Sequence, residues 1–113
     1  MVDTETFRRL ALFHPDVEEL PHFEKTSFRW RNKIFATLRE SDGLAMVQLS
    51  LTDQDVFCSF DNGSAFYPVP NAWGKKGSTF VNFDLVREDM LADAINCAYQ
   101  TLISKQLPKK SKP

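Results

Sequence analysis

Cysteine and histidine are scarce in this chain, two of each in 113 residues. Cys58 and Cys97 form no CxxC pair, so two reduced, buried thiols are expected rather than a redox motif or a structural disulfide. His14 and His22 fit neither HExxH nor a Cys/His zinc spacing. Each stands beside a proline, as surface or capping histidines commonly do. No apolar run approaches the roughly 20 residues that span a bilayer, which excludes a membrane helix. The opening MVDTETF has neither the basic nor the apolar region of a secretory signal, so a cytoplasmic protein is expected. GxSxG, GxGxxG and Gly-rich phosphate loops are all missing. WGKKG at residues 73–77 lacks the upstream glycine of a P-loop and the Ser/Thr that follows its lysine. The acids Asp16, Glu18, Glu19 and Glu24 crowd together without the DxDxDG geometry of an oxygen-ligated cation site, and read as a solvated connector. No catalytic constellation emerges, and no cofactor or metal is expected.

Charge of one sign is also lacking overall, with a formal net of -1. Its distribution is uneven. Residues 1–103 hold 15 acids against 10 Lys/Arg, whereas 104–113 hold four lysines and no acid. An acidic body is unlike a dedicated nucleic-acid domain, so any such binding has to use a local basic patch.

What is abundant is phenylalanine, with ten copies. Large rings supply the burial that offsets chain entropy. The length suits one core, giving a single domain over residues 1–107 and a flexible basic tail at 108–113. A monomer is expected.

The patterning predicts a helix over 3–13, capped by Asp3 or Thr4, with Phe7, Leu10 and Ala11 on one face. HPDVEELPHF, broken by Pro15 and Pro21, reads as a connector with at most one helical turn. TSFRWRNKIFATLR, residues 26–39, is a hairpin. A two-residue loop would align Arg29 and Arg31 with Ile34 and Leu38. A three-residue loop with a bulge and left-handed Asn32 instead gathers Phe28, Trp30, Ile34, Ala36 and Leu38 inside. Burying unpaired arginines costs several kcal/mol, which favours the bulged form and places Arg29, Arg31, Lys33, Phe35, Thr37 and Arg39 outside. A turn follows at 41–43, then a strand with Ala45, Val47 and Leu49 inward. A short helix over 52–60 is capped by Thr52, and an irregular stretch leads to a strand at 78–83. A long helix over 86–106 carries the stripe Leu91, Ile95, Ala98 and Leu102, with Glu88 and Asp89 in its first turn. Pro108 ends it. The class is α+β, an antiparallel sheet of four to five strands with helices on one face.

Two features suit binding. One is the outer hairpin face, where Arg29, Arg31, Lys33 and Arg39 surround Phe35: cations neutralise phosphates and an exposed ring contacts bases. A polar outer face that discourages edge association is the plainer reading. The other is NAWGKKGSTF, residues 71–80. Here Gly74 and Gly77 free the backbone, Trp73 anchors the loop and Lys75 and Lys76 project from its tip. Whether these two features share one side of the molecule is not readable from the sequence.

PHFEKTSFRWRNKIFATL, YPVPNAWGKKGSTFVNF and AYQTLISKQLPKK resemble the MmcQ/YjbR family of small bacterial proteins, over about residues 7–110. The resemblance implies a frataxin/CyaY-like α+β fold, also described as a double wing. It also implies a DNA-binding role that rests on shape analogy, and it supplies no catalytic residues. Asn32 stands where relatives commonly have Gly, and still tolerates a left-handed turn. Ser78 stands where many have Trp, which removes one aromatic from the surface. Frataxin-type iron binding uses an acidic first helix. Arg8 and Arg9 interrupt Asp3 and Glu5 here, so iron is not expected. The resulting expectation is a non-catalytic module that binds DNA through Arg29, Arg31, Lys33, Phe35, Arg39, Lys75 and Lys76, without membrane association. The alternative is a module for a protein or small-molecule partner.

Overall fold

Rows of side chains running across a six-stranded antiparallel sheet organise the molecule. The computed structural model describes residues 2–60 and 64–106. Its elements are α1 (Thr4–Leu12), β1 (Val17–His22), β2 (Lys25–Trp30), β3 (Lys33–Arg39), β4 (Leu44–Gln48), α2 (Leu51–Cys58), β5 (Phe66–Pro68), β6 (Ser78–Val81) and α3 (Glu88–Gln106), together with a 3₁₀ turn at Gly74–Lys76. The strand order is β1-β2-β3-β4-β6-β5. Period-two alternation sends one set of rows to the helices. Phe28, Ala36, Val47 and Thr79 stand side by side, as do Leu38, Ala45, Val81 and Phe66, and all eight are fully buried or nearly so. The opposite row, Leu20, Ser27, Thr37, Met46, Phe80 and Tyr67, crosses all six strands on the outer face.

The expected α+β class holds, and so do most elements. Asp3 caps α1, its Oδ1 accepting from the Thr6 N–H at 2.8 Å. Phe7 from that helix meets Phe28 edge-on at 5.8 Å, a favoured ring geometry. Ala45, Val47 and Leu49 face inward as expected. The stripe of α3 buries Leu91, Ile95 and Ala98, adds Ala94 and Tyr99, and packs Leu102 against the core margin. Cys58 and Cys97 are free thiols at that margin, and burial pushes both upward in pKa. No helix among the described residues is long and apolar enough to cross a membrane. The tail at 108–113 lies outside the described residues.

Several expectations fail, each for a physical reason. The connector 14–23 contains β1. Proline is excluded from central strands because it cannot donate to the ladder, but β1 is an edge, where Pro21 is tolerated. The irregular stretch contains β5, whose Phe66 is fully buried, so the sheet has six strands rather than four to five. Ser50, not Thr52, caps α2, its Oγ accepting from the Asp53 N–H at 3.1 Å.

The hairpin combines both registers considered for it. Its loop is the two-residue Arg31–Asn32, with φ of 51° and 66°, the left-handed pair that matches strand twist. The bulge lies further along, because Arg29 faces Ile34 while Phe28 faces Ala36, leaving Phe35 as the extra residue. Phe28, Trp30, Ala36 and Leu38 therefore remain inside. Ile34 goes out beside Arg29, and Phe35 turns in. Phe35 is 1% exposed and meets Tyr99 edge-on at 5.7 Å. A phenyl ring gains more from burial than the half-buried Ile34 loses, and Arg31 and Lys33 stay in water.

Phe35→Ala is therefore expected to cost about 3–5 kcal/mol in urea denaturation, the range for emptying a core phenylalanine site. A loss within about 0.5 kcal/mol, typical of surface positions, would return Phe35 to the outside.

Candidate nucleic-acid interface

The 3₁₀ turn that carries Lys75 and Lys76 is set by close packing of backbone. A Cβ on Gly74 would stand 1.8 Å from the Val69 carbonyl oxygen, and one on Gly77 would stand 1.9 Å from that of Leu49. Gly77 also takes φ 108°, whereas Gly74 is not left-handed, so its requirement is space alone. The glycines are contact points with the scaffold, not hinges.

Two glutamines lock the turn from beneath. Gln54 on α2 is buried, and its Nε2 lies 2.9 Å from Gly74 O, 3.2 Å from Ser78 O and 3.2 Å from Thr79 Oγ1. Gln48 at the end of β4 donates from Nε2 to Lys76 O at 2.8 Å and accepts at Oε1 from Ser78 Oγ at 2.6 Å. The Leu49 N–H donates to Gly77 O at 3.0 Å. Trp73 donates its N–H to Asn71 Oδ1 at 2.8 Å, and its carbonyl accepts from the Lys76 and Ser78 N–H groups. The expected anchor does not hold: Trp73 is 63% exposed, and Gly74 is the residue pressed against the body.

The register brings the two basic features together. Trp30 pairs with Lys33, Ala36 with Val47 and Gln48 with Ser78. The β2–β3 turn, the end of β4 and the start of β6 therefore share one end of the sheet. Lys33 and the Lys75–Lys76 turn thus leave the sheet at the same end, from strands separated by β4. Each bears a cation on a tryptophan: Arg31 Cζ lies 4.7 Å from the Trp30 ring centre, and Lys76 Nζ 5.5 Å from that of Trp73.

Ion pairing divides the basic residues. Arg8 bonds Glu19 at 3.0 Å and Glu5 at 3.1 Å, and also pairs with Glu40. Glu19 thereby leaves the acidic connector and ties α1 to β1, while the Glu19 carboxylate raises Arg8 above its usual pKa. Arg9 pairs with Glu88 and Arg87 with Asp89. Arg39 lies at the opposite end of the sheet and grips Asp42 through two nitrogens, at 3.0 and 2.8 Å. It is thus separated from the other expected contacts. Among the described residues, Arg29, Arg31, Lys33, Lys75 and Lys76 have no carboxylate within ion-pair distance. Arg29 is half-buried, its Nε donating to Ser27 Oγ at 2.8 Å. Phe35, the expected base contact, is in the core, and Trp73 is the exposed ring of this end. The sequence signal for Trp73 was its place in an N-x-W-G stretch.

The histidines do other work. His14 stacks on Tyr99 with ring centres 4.5 Å apart, and burial lowers its pKa below 6.5. Tyr99 Oη donates to Pro15 O at 2.7 Å, fastening the α1–β1 connection to α3. His22 meets Phe23 edge-on on the β1–β2 hairpin.

No family model matches the sequence, and no curated protein matches it. Among solved structures, protein DR2400 of Deinococcus radiodurans, which carries a DUF419 domain, is similar in fold. Its TM-score is 0.80 over 96% of this chain and 84% of that one, at 17% identity.

Gly74→Ala is expected to destabilise the protein in thermal and urea unfolding, since backbone must move to admit the methyl group. Gln54→Ala should cost about 1–3 kcal/mol by removing the buried amide bonds that tie α2 to the turn, while Gly74 O and Ser78 O keep their bonds from the Gly77 and Val69 N–H groups. Lys75→Ala and Lys76→Ala should stay within about 0.5 kcal/mol of the parent. Equal stability for all four variants would contradict a locked turn.

Proposed function

We propose that this chain is a non-catalytic, MmcQ/YjbR-type binding module that grips nucleic-acid phosphates with one end of its sheet. The observation that carries the reading is the convergence there of Arg29, Arg31, Lys33, Lys75 and Lys76 without carboxylate partners among the described residues. The arginines elsewhere are neutralised within the fold. Cations left free in a protein of net negative body are available to an external anion, and phosphodiesters present anions at regular spacing. DUF419, the domain of the structural neighbour, corresponds to the MmcQ/YjbR family, which adds to the family reading. A bacterial, cytoplasmic monomer fits this reading. The protein-interaction alternative has one observation in its favour, the outer row from Leu20 to Tyr67, in which Leu20, Met46 and Phe80 are half-buried and Tyr67 is exposed.

Binding should be modest and steeply salt-dependent. Neutralising about five phosphates gives a slope of log K against log salt near -4 to -5 on duplex, or about -3.5 on single strands. The double variant Lys75→Ala/Lys76→Ala should weaken binding to all sequences and flatten the slope by about 1 per lysine. A titration across salt concentrations reads both. Undetectable binding at low salt, or a double variant that binds like the parent, would remove nucleic acid as the ligand and favour a protein partner.

A further inference from the structure

We infer that the basic end takes unpaired strands in preference to duplex, with Trp73 as the platform on which one base stacks; this rests on the phosphate-binding reading above. Trp73 exposes 63% of its surface, although large rings gain substantially from burial. The fold does not leave it loose. Its N–H is taken by Asn71 Oδ1, its carbonyl accepts two backbone N–H groups, and the residue after it is wedged against Val69. The backbone that carries the indole is thus held in place before any ligand arrives, and the ring stands in water.

Among the described residues no aromatic ring packs against Trp73; its neighbour is the Lys76 ammonium at 5.5 Å. A base laid on the indole meets a π-face, and the displaced ammonium is in reach of the adjoining phosphate. Beside the turn lies an open depression of about 620 Å³, bordered by Pro68, Pro70, Asn71 and Lys75, which leaves room for a strand next to the turn. Asn71 spends only its oxygen on Trp73, leaving its amide N–H groups for a base edge. In duplex the base faces are hidden in the stack, so a single exposed indole finds little there without unstacking a step. Trp30 is 5% exposed and offers no second platform.

The test titrates the intact protein with three probes: an oligothymidylate, an abasic oligomer with the same number of phosphates, and a duplex of the same length. Oligothymidylate is expected to bind about tenfold or more tightly than the abasic oligomer, and more tightly than duplex, with quenching of tryptophan emission. Trp73→Ala should abolish the quenching and bring thymidylate affinity down to that of the abasic oligomer. Trp73→Phe, which keeps a smaller ring but no indole emission, should retain part of the thymidylate advantage and none of the quenching. Equal binding of thymidylate and abasic oligomer, tighter binding of duplex, or an unaffected Trp73→Ala variant overturns the stacking inference and leaves the phosphate reading standing. Absence of binding by all three probes overturns both.

Discussion

One buried amide holds the basic end of this protein in shape. Gln54 Nε2 has two hydrogens and faces three acceptors, on Gly74, Ser78 and Thr79. It therefore ties α2 to the 3₁₀ turn and to the first residues of β6 at once. In a low-dielectric setting such bonds are costly to lose, so the turn and the sheet end form one body. Gly74 and Gly77 make this possible by allowing backbone to approach backbone where any Cβ would collide. The exposed lysines and tryptophan are the outer surface of that packing.

The electrostatic arrangement follows a simple division. Arginines on and around the helices are matched by carboxylates from other elements: Arg8 with Glu19 and Glu40, Arg9 with Glu88. These pairs join α1 to β1 and to α3. At exposed positions each contributes little stability, but each also cancels a charge that would compete for an anion. Of the described cations without such a partner, Arg29, Arg31, Lys33, Lys75 and Lys76 lie where the sheet register brings β2, β3, β4 and β6 to one end, whereas Lys25 stands at the other end and Lys105 on α3. Positive charge is thereby gathered at one end of a chain whose residues 1–103 carry more acids than Lys/Arg.

Much of the fold was legible in the residues. The cap at Asp3, the inward alternation of Ala45 and Val47, and the stripe of α3 are local signals that tertiary packing merely completes. The failures came where a local rule depends on a neighbour. Pro21 reads as a break until β1 is known to be an edge. Phe35 alternates outward until a bulge placed three residues beyond the turn reverses it, and nothing in the hairpin's own pattern fixes which residue is the extra one. The candidate site was legible in composition but not in geometry. Two basic clusters forty residues apart in sequence declare themselves, yet only the pairing of Gln48 with Ser78 puts them side by side. Arg39, equally basic, is separated by strand length and captured by Asp42.

The steric closure around the two glycines also sorts the W-G-K-K-G stretch by how freely each residue can change. Positions 74 and 77 admit no side chain, whereas 73, 75 and 76 point into solvent and owe their backbone geometry to Gln48 and Gln54. Three surface residues can thus be exchanged on an unchanging frame. The loop behaves as an interchangeable cartridge whose fittings lie elsewhere in the chain.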